Sequence, residues 1–489
     1  MRLDQLQALL PQAIFKGELQ GEIQGLSYDS RRIRLGDLFF AWKGEKSDGH
    51  QYLLQAFEKG AVGVVVEKIS SALPPRFLQI EVKRVRETLA RVAAAFHGEP
   101  SQKIALVGVT GTNGKTTVAF LTKHLLQASG WNSGLIGTIR YEIGDRVIPS
   151  TRTTPEGSDL QDLFSQMVRD GARAAVMEVS SHALDQGRVA GTKFQVGIFT
   201  NLTQDHLDYH GSIENYFHSK LGLFSGLESG ACAVINLDDP RAKTVLQSLP
   251  SHVTPFTVSV EAHSEAMLFA RKVVCHTGGT EFELIYQGAT FAISTPLLGM
   301  FNVANTLCAM AAALALGIST EKMIDHLLTI PQVPGRLEKV IRRDGLTAVV
   351  DYAHTEDALR KTLMTLRDLN PRKLVVVIGC GGNRDVTKRP KMARTAVELA
   401  DLAIFTSDNP RNESITAILD QMESGVLGSK NYLKIEDRKA AIVKALSEAE
   451  SSDLICVAGK GHEVTQEVGG RYLSFDDCEV VRECMGDLV

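Results

Sequence analysis

The sequence predicts an α/β protein in which two successive parallel-sheet domains follow a smaller N-terminal module. Three observations carry that expectation. The chain has 489 residues, too many for one ordinary core and enough for roughly three domains. Apolar runs of strand length alternate with helix-period segments through most of it, the rhythm of βα units. That rhythm is interrupted near Pro100-Ser101-Gln102 and again at 331–334, which sets the expected domains at 1–100, 101–332 and 333–489.

The elements follow in order. In the first module, the run Gly63-Val64-Val65-Val66 and the alternating segment 78–82 read as strands. In the second region, 174–178, 196–201 and 232–236 read as buried strands of a parallel sheet. The alternating stretch 281–294 predicts an antiparallel excursion, and the alanine- and leucine-rich stretch 302–316 a closing helix. In the third region, strands are expected at 346–351, 373–378, 402–406 and 454–458, with helical patterns at 358–369 and 439–449 between them.

Composition narrows the class. With 44% hydrophobic and 22% charged residues, the chain has ordinary globular composition, and a net charge of −4 gives no reason to expect nucleic acid or an acidic membrane as partner. The first residues carry Asp4 and no long apolar run, so a secretory signal is not expected. The seven cysteines are scattered and none has CxxC spacing. That argues against a zinc site or a disulfide framework, and for a reduced cytoplasmic enzyme.

Residues 108–117 read GVTGTNGKTT. They follow the apolar run 104–107 and open an apolar-periodic segment: strand, glycine-rich turn, helix. In that setting backbone N–H groups and a helix N-terminus cradle phosphate oxygens. Gly111, Thr112, Asn113, Gly114, Lys115, Thr116 and Thr117 are therefore candidate nucleotide ligands. Lys115 would reach the outer phosphates and the Thr116 hydroxyl would bind Mg²⁺. One position departs from the usual spacing: Val109 stands where a glycine is expected, flanked by Gly108 and Gly111.

Other chemistry-bearing residues fall at the carboxyl ends of predicted strands, where α/β sheets collect function. Glu178 ends one strand, and His206 follows closely on Asn201, the end of the next. Taken singly, they fit a solvent-facing strand end and an ordinary loop histidine. Beside Lys115 and Thr116, a carboxylate and an imidazole at adjacent tips suit a metal ion that bridges phosphates. In the third region DYAH (351–354), GCGGNR (379–384), DNPR (408–411) and GKGHE (459–463) each follow an apolar run. Arg384, Arg411 and Glu463 on these tips point to a polar ligand at that edge.

The strings GVTGTNGKTT, EVSSHAL, TNLTQDHLDYHG, FNVANTLCA, PGRLE, DYAHT, GCGGNRD, DNPR and AGKGHE, in this order, resemble the Mur ligases of bacterial cell-wall synthesis. Within them the match is to the group that adds the third peptide residue to UDP-N-acetylmuramoyl-L-alanyl-D-glutamate. The resemblance implies a domain for the UDP end, a central P-loop parallel-sheet ATPase domain and a C-terminal Rossmann-like domain for the incoming amino acid. It implies ATP and Mg²⁺ as cofactors and UDP-N-acetylmuramoyl-dipeptide and meso-diaminopimelate as partners. A cytoplasmic monomer is expected, without nucleic acid or membrane insertion.

Residue by residue, the resemblance implies that Tyr28, Ser30, Glu45, Lys46 and Ser47 contact the uridine diphosphate. Thr153, Thr154, Ser180, Gln186 and Arg188 would hold the muramoyl-dipeptide. Thr116, Glu178 and His206 would face metal or phosphate, and Asn305, Arg336, Asp351 and His354 would meet ATP. Lys220 matches the lysine that the family carbamylates into a metal ligand; the residue pattern alone gives an ordinary exposed helix lysine. Arg384 and Arg411, with Asp408, Asn409, Pro410, Gly459 and Glu463, would bind diaminopimelate. Guanidinium groups pair bidentately with its second carboxylate, and Glu463 would meet the distal ammonium. Two strings depart from the pattern, Asn412-Glu413-Ser414 after DNPR and Glu356 after DYAHT. The lysine-adding counterpart, a folylpolyglutamate-type ligase and a nucleotide switch are the rival readings; DNPR and YDSR at 28–31 argue against the second, and the Arg384/Arg411 pair against the third.

Overall fold

The computed structural model describes residues 1–486 apart from 20, 45, 46, 262, 264 and 342–344. Three main sheets and one two-stranded hairpin, Thr465–Val468 with Arg471–Ser474, organise the described chain. The first has five strands in the order Ile14–Lys16, Leu78–Glu81, Gly63–Val66, Asp37–Phe40, Gly25–Ser27. All pair in parallel except the first. Helix Val85–Phe96 covers this sheet through Val85, Leu89 and Val92.

The second sheet has eleven strands. Its parallel centre runs Thr254–Ser259, Cys232–Asn236, Val196–Phe199, Ala105–Thr110, Ala174–Glu178, Ser133–Ile136. These strands are apolar on both faces because helices cover both. Lys115–Ala128 and Met300–Ala315 pack on one face, Gly157–Arg169 and Ile213–Ser225 on the other. The alanines 309 and 311–313 are fully buried, and their small side chains let the Met300–Ala315 helix lie close to its neighbour. Both edges are extended: on one side Leu268–His276 pairs in parallel with Thr254–Ser259 and then antiparallel with Gly279–Tyr286, which pairs antiparallel with Ala289–Thr295; on the other, Arg140–Ile143 and Arg146–Pro149 pair antiparallel. The expected excursion at 281–294 is thus the outer hairpin of a longer one.

The third sheet has six strands in the order Glu338–Ile341, Thr347–Asp351, Leu454–Ala458, Leu374–Cys380, Leu402–Ser407, Tyr432–Lys434. Helices Glu356–Arg367, Lys388–Leu399 and Ile415–Glu423 pack on one face, Arg438–Ser447 and Asp477–Met485 on the other. The helix expected at 358–369 starts two residues earlier, because Thr355 caps it by accepting from the Ala358 N–H at 3.3 Å. The strand expected to reach 201 ends at Phe199, and Thr200 and Asn201 turn away to brace the glycine-rich loop. Among the described residues, no helix is long and apolar enough to cross a membrane.

Candidate active site

The glycine-rich loop joins strand Ala105–Thr110 to helix Lys115–Ala128. Val109 pairs with Glu178 and Ile198 inside the sheet and is fully buried, so the missing glycine belongs to the strand, not the turn. A side chain at Gly108 would reach to 2.8 Å from the Phe194 ring, which accounts for the glycine one position earlier. Gly111 has φ 151° and lies against Thr200 Oγ1 and Asn201 with no room for a Cβ. Asn201 Oδ1 accepts from the Asn113 N–H at 2.9 Å and Thr200 Oγ1 donates to the Asn113 carbonyl at 2.6 Å. The loop is held open by the strand beside it.

Two lysines converge on that loop. Lys115 Nζ donates to the carbonyls of Gly111 and Thr112 at 2.9 and 2.8 Å, and Lys220 Nζ donates to the same Gly111 carbonyl at 2.7 Å. Lys220 is 1% exposed, in contrast to the surface lysine that its local pattern suggests. Its ammonium lies 4.2 Å from the centroid of the Tyr216 ring. Burial, reinforced by the Lys115 charge, drives its pKa well below the ordinary lysine value. Burial also lowers Lys115.

Glu178 is buried at the tip of strand Ala174–Glu178 and collects three donors: Thr116 Oγ1 at 3.0 Å, the Thr138 N–H at 2.7 Å and Thr138 Oγ1 at 3.0 Å. His206 sits in the left-handed region at φ 52° with Nε2 3.5 Å from Asp205. Burial lowers its pKa, which keeps the imidazole neutral and able to ligate. Thr116, Glu178, His206 and Lys220 line one cavity of about 190 Å³ with Thr153, Ser180, Arg336 and His354. A hydroxyl, a carboxylate and an imidazole facing one space form a donor set for a hard divalent cation.

A larger cavity, about 500 Å³, opens on the other side of the loop. Asn305, whose amide donates to Asn302 Oδ1 at 3.0 Å, and Phe301 line it from the second sheet's helix; Arg336, Asp351 and His354 line it from the third region. Arg336 crosses between the two, with Nη2 3.3 Å from Thr116 Oγ1 and its guanidinium 4.6 Å from the Tyr352 ring centroid. Burial raises the Asp351 carboxyl, which accepts from the N–H groups of Leu337 and Ala353 and from Thr362. Asp351 fastens the loops that carry Arg336 and His354.

At the far tips of the third sheet, Asp408, Asn409, Pro410 and Arg411 face Gly459 and Glu463. Asn409 Nδ2 donates to Glu463 Oε2 at 2.7 Å. Arg411, at φ 53°, donates through Nε to Glu467 at 3.1 Å and through Nη1 to the Gly382 carbonyl at 2.7 Å. Arg384 is exposed on the adjoining loop.

Near the first sheet, Tyr28 stacks on Trp42 and donates to Asp159 at 2.6 Å, and Ser30 is buried beside Lys59. Ser47 is exposed; Glu45 and Lys46 lie outside the described residues. Thr153 Oγ1 lies 3.0 Å from Thr138 Oγ1. Thr154 spends its hydroxyl on the Glu178 carbonyl at 2.8 Å and on the Ser180 N–H at 3.1 Å. Arg188 is buried between the Thr154 carbonyl and the side chains of Gln186 and Glu156.

Three family models match successive parts of the chain: the Mur ligase family catalytic domain over 22–97, the Mur ligase middle domain over 109–313 and the Mur ligase glutamate ligase domain over 335–461. A UDP-N-acetylmuramoyl-L-alanyl-D-glutamate–2,6-diaminopimelate ligase of Geobacillus thermodenitrificans is 44% identical over 94% of this chain and 94% of its own length. The chain belongs to the Mur ligase family. The ligase of the same description from Clostridium tetani is 42% identical over the full length of both chains. A solved structure of a 2,6-diaminopimelate ligase superposes at TM-score 0.72 with 32% identity over 98% of each chain.

In this Mur ligase, sequence motifs missed several residues that build the site. Arg389 is 0% exposed and joins the Gly381 carbonyl, Glu413 and Gln421. Lys460 is equally buried behind Asn409 and Glu463. His182 stacks among His206, Tyr209 and His210. Lys460 and His182 lie inside AGKGHE and EVSSHAL, so those strings were the available signal, whereas Arg389 lies four residues beyond GCGGNRD and has only the Pro390 that follows it.

Proposed function

We propose that this Mur ligase joins the amine of meso-2,6-diaminopimelate to the γ-carboxyl of the D-glutamate in UDP-N-acetylmuramoyl-L-alanyl-D-glutamate, with ATP converted to ADP and phosphate. The observation that carries this reading is that Asn409 ties Glu463 on one side and, through Glu467, Arg411 on the other, with Tyr352 reaching from Glu463 to the cavity lined by Thr116, Glu178 and Lys220. In the division of labour that follows, residues 1–100 hold the UDP end, 101–332 bind ATP and 333–489 deliver the amino acid.

The D-glutamate carboxylate attacks the γ-phosphorus of ATP in line, forming an acyl phosphate and releasing ADP. Lys115, Arg336 and the loop N–H groups neutralise charge on the transferring phosphoryl group. Thr116, Glu178, His206 and a carbamate on Lys220 would hold Mg²⁺, which would supply further neutralisation of phosphate charge. Carbamylation needs a neutral amine, and the buried, pKa-depressed Lys220 has one available. The diaminopimelate amine then attacks the acyl carbon, phosphate leaves, and the amine loses a proton. Asn305 and Asp351 order the nucleotide side of this reaction, while Ser180, Gln186 and Arg188 surround the muramoyl-dipeptide.

Acceptor choice follows from charge. Arg411 and Arg384 offer guanidinium groups to the second carboxylate of diaminopimelate, which lysine lacks. A site built for such a pair rejects the analogue by roughly 10⁴-fold. The test is phosphate release with UDP-muramoyl-dipeptide and either diaminopimelate, lysine or no acceptor. Diaminopimelate-dependent release is expected; equal turnover with lysine sinks the specificity, and acceptor-independent release sinks the ligase.

A further inference from the structure

The proposed reaction leaves one buried charge in the acceptor edge without a task. Lys460 is 0% exposed. Its Nζ donates to the Thr465 carbonyl at 2.7 Å, Asn409 Oδ1 at 3.2 Å and Glu463 Oε2 at 3.2 Å. An ammonium has three protons, and all three are matched, which is what allows it to stay buried. With no proton to spare, Lys460 does not itself bind an acceptor.

Its partners diverge in two directions. Oδ1 of Asn409 facing Lys460 turns the amide so that Nδ2 donates to Glu463 Oε2 at 2.7 Å. Two donors therefore fasten Oε2, leaving Oε1 3.5 Å from the Tyr352 hydroxyl. The same Asn409 Oδ1 accepts from the Glu467 N–H at 2.9 Å, and the Glu467 carboxylate receives Arg411 Nε at 3.1 Å. One ammonium thus stands at the origin of two arms, one ending in a carboxylate and the other in a guanidinium.

We infer that Lys460 is a positioning residue that fixes the spacing of Glu463 and Arg411, matching the site to an acceptor with an ammonium and a carboxylate on one carbon. The inference rests on the acceptor-site reading above. Without Lys460, Glu463 keeps a single fastening donor and Asn409 Oδ1 keeps only the Glu467 N–H, so both arms lose an anchor together. A double-headed acceptor needs both arms at once.

The test is steady-state kinetics of Lys460→Met in the full-length enzyme. The expected result is a KM for diaminopimelate raised tenfold or more, with KM for ATP and for UDP-muramoyl-dipeptide within twofold of wild type. In a Glu463→Gln background the same substitution is expected to raise it less than threefold, because one group it positions has already lost its charge. An unchanged diaminopimelate KM overturns the inference. So does an equal rise in all three KM values, or a full tenfold effect retained in Glu463→Gln. Should Lys460→Met fail to fold, Lys460→Gln, which keeps a donor without the charge, is read by the same three criteria. Wild-type enzyme that ignores diaminopimelate defeats the proposed function; wild-type turnover with an indifferent Lys460→Met defeats only this inference.

Discussion

At the scale of single residues, the site is a set of charges whose partners come from far along the chain. Glu178 is placed by a strand tip and His206 by the loop that follows the next strand, and that much was legible in apolar runs ending at Glu178 and at Asn201. Lys220 was not, because its burial depends on Gly111, more than a hundred positions earlier; only its resemblance to the family pointed to it. Arg389 and Lys460 were hidden too, since Glu413 and Gln421 for the first and Asn409 for the second lie tens of positions away. Arg411→Ala is expected to raise the diaminopimelate KM at least tenfold while leaving that for ATP unchanged; an unchanged diaminopimelate value in the same assay removes its role. The histidines supply a pH prediction. Burial holds His182 down at about 4 and His462 at about 3, against 6.5 for the free side chain. Above 6.5 neither state binds these protons. As pH falls from 6.5 to about 4, the unfolded chain takes up protons that the native state refuses, so stability drops through that window. The denaturant midpoint is expected to fall between pH 6.5 and 4, and less steeply in His182→Asn.

At the scale of elements, strand positions were readable because buried parallel strands are continuous apolar runs, whereas their ends depended on caps and side-chain braces. The hairpin 140–149 was invisible: its strands are short, and Arg146 and Val147 are exposed, so no periodicity announces them. The carboxyl ends of strands Leu402–Ser407 and Leu454–Ala458 are joined by Arg438, which donates to the Ser407 and Ala458 carbonyls at 3.2 and 3.0 Å and pairs with Asp477 at 2.6 Å, both partners fully buried. Removing one partner strands a charge in the interior, so Asp477→Ala should cost about 3–5 kcal/mol. Chemical denaturation measures this; a loss under about 1 kcal/mol would mean that water solvates Arg438.

At the scale of the molecule, the three main regions meet through packed faces, helix Val85–Phe96 on Gly157–Arg169 and Leu298 in the third region's core, and through a few polar contacts. Tyr28 reaches Asp159, and Arg86 reaches Glu156 at 3.1 Å, from the first sheet's region to the second. Arg336 reaches Thr116, and Asn113 reaches Asp357 at 3.3 Å, between the second and third. The three-part organisation was legible from length and the two interruptions; these cross-contacts were not, because each is a single pair without local pattern. Since Arg336 reaches Thr116 in the proposed nucleotide site, a non-hydrolysable ATP analogue is expected to raise the thermal midpoint of the wild-type enzyme by several degrees. Arg336→Ala should lose most of that rise. A full shift in the variant would show that Arg336 does not couple nucleotide to the third region.

The shared Gly111 carbonyl has a kinetic consequence. Lys115 and Lys220 crowd one peptide oxygen, and the proposed carbamate on Lys220 would replace that crowding with attraction and leave the oxygen to Lys115 alone. The proposed carbamate forms when carbon dioxide adds to the neutral Lys220 amine, a step that precedes turnover. Enzyme kept in degassed buffer should therefore start sluggishly and accelerate over the assay, and added bicarbonate should abolish the lag. The supply of dissolved inorganic carbon would then set how fast a dormant pool of this ligase returns to work.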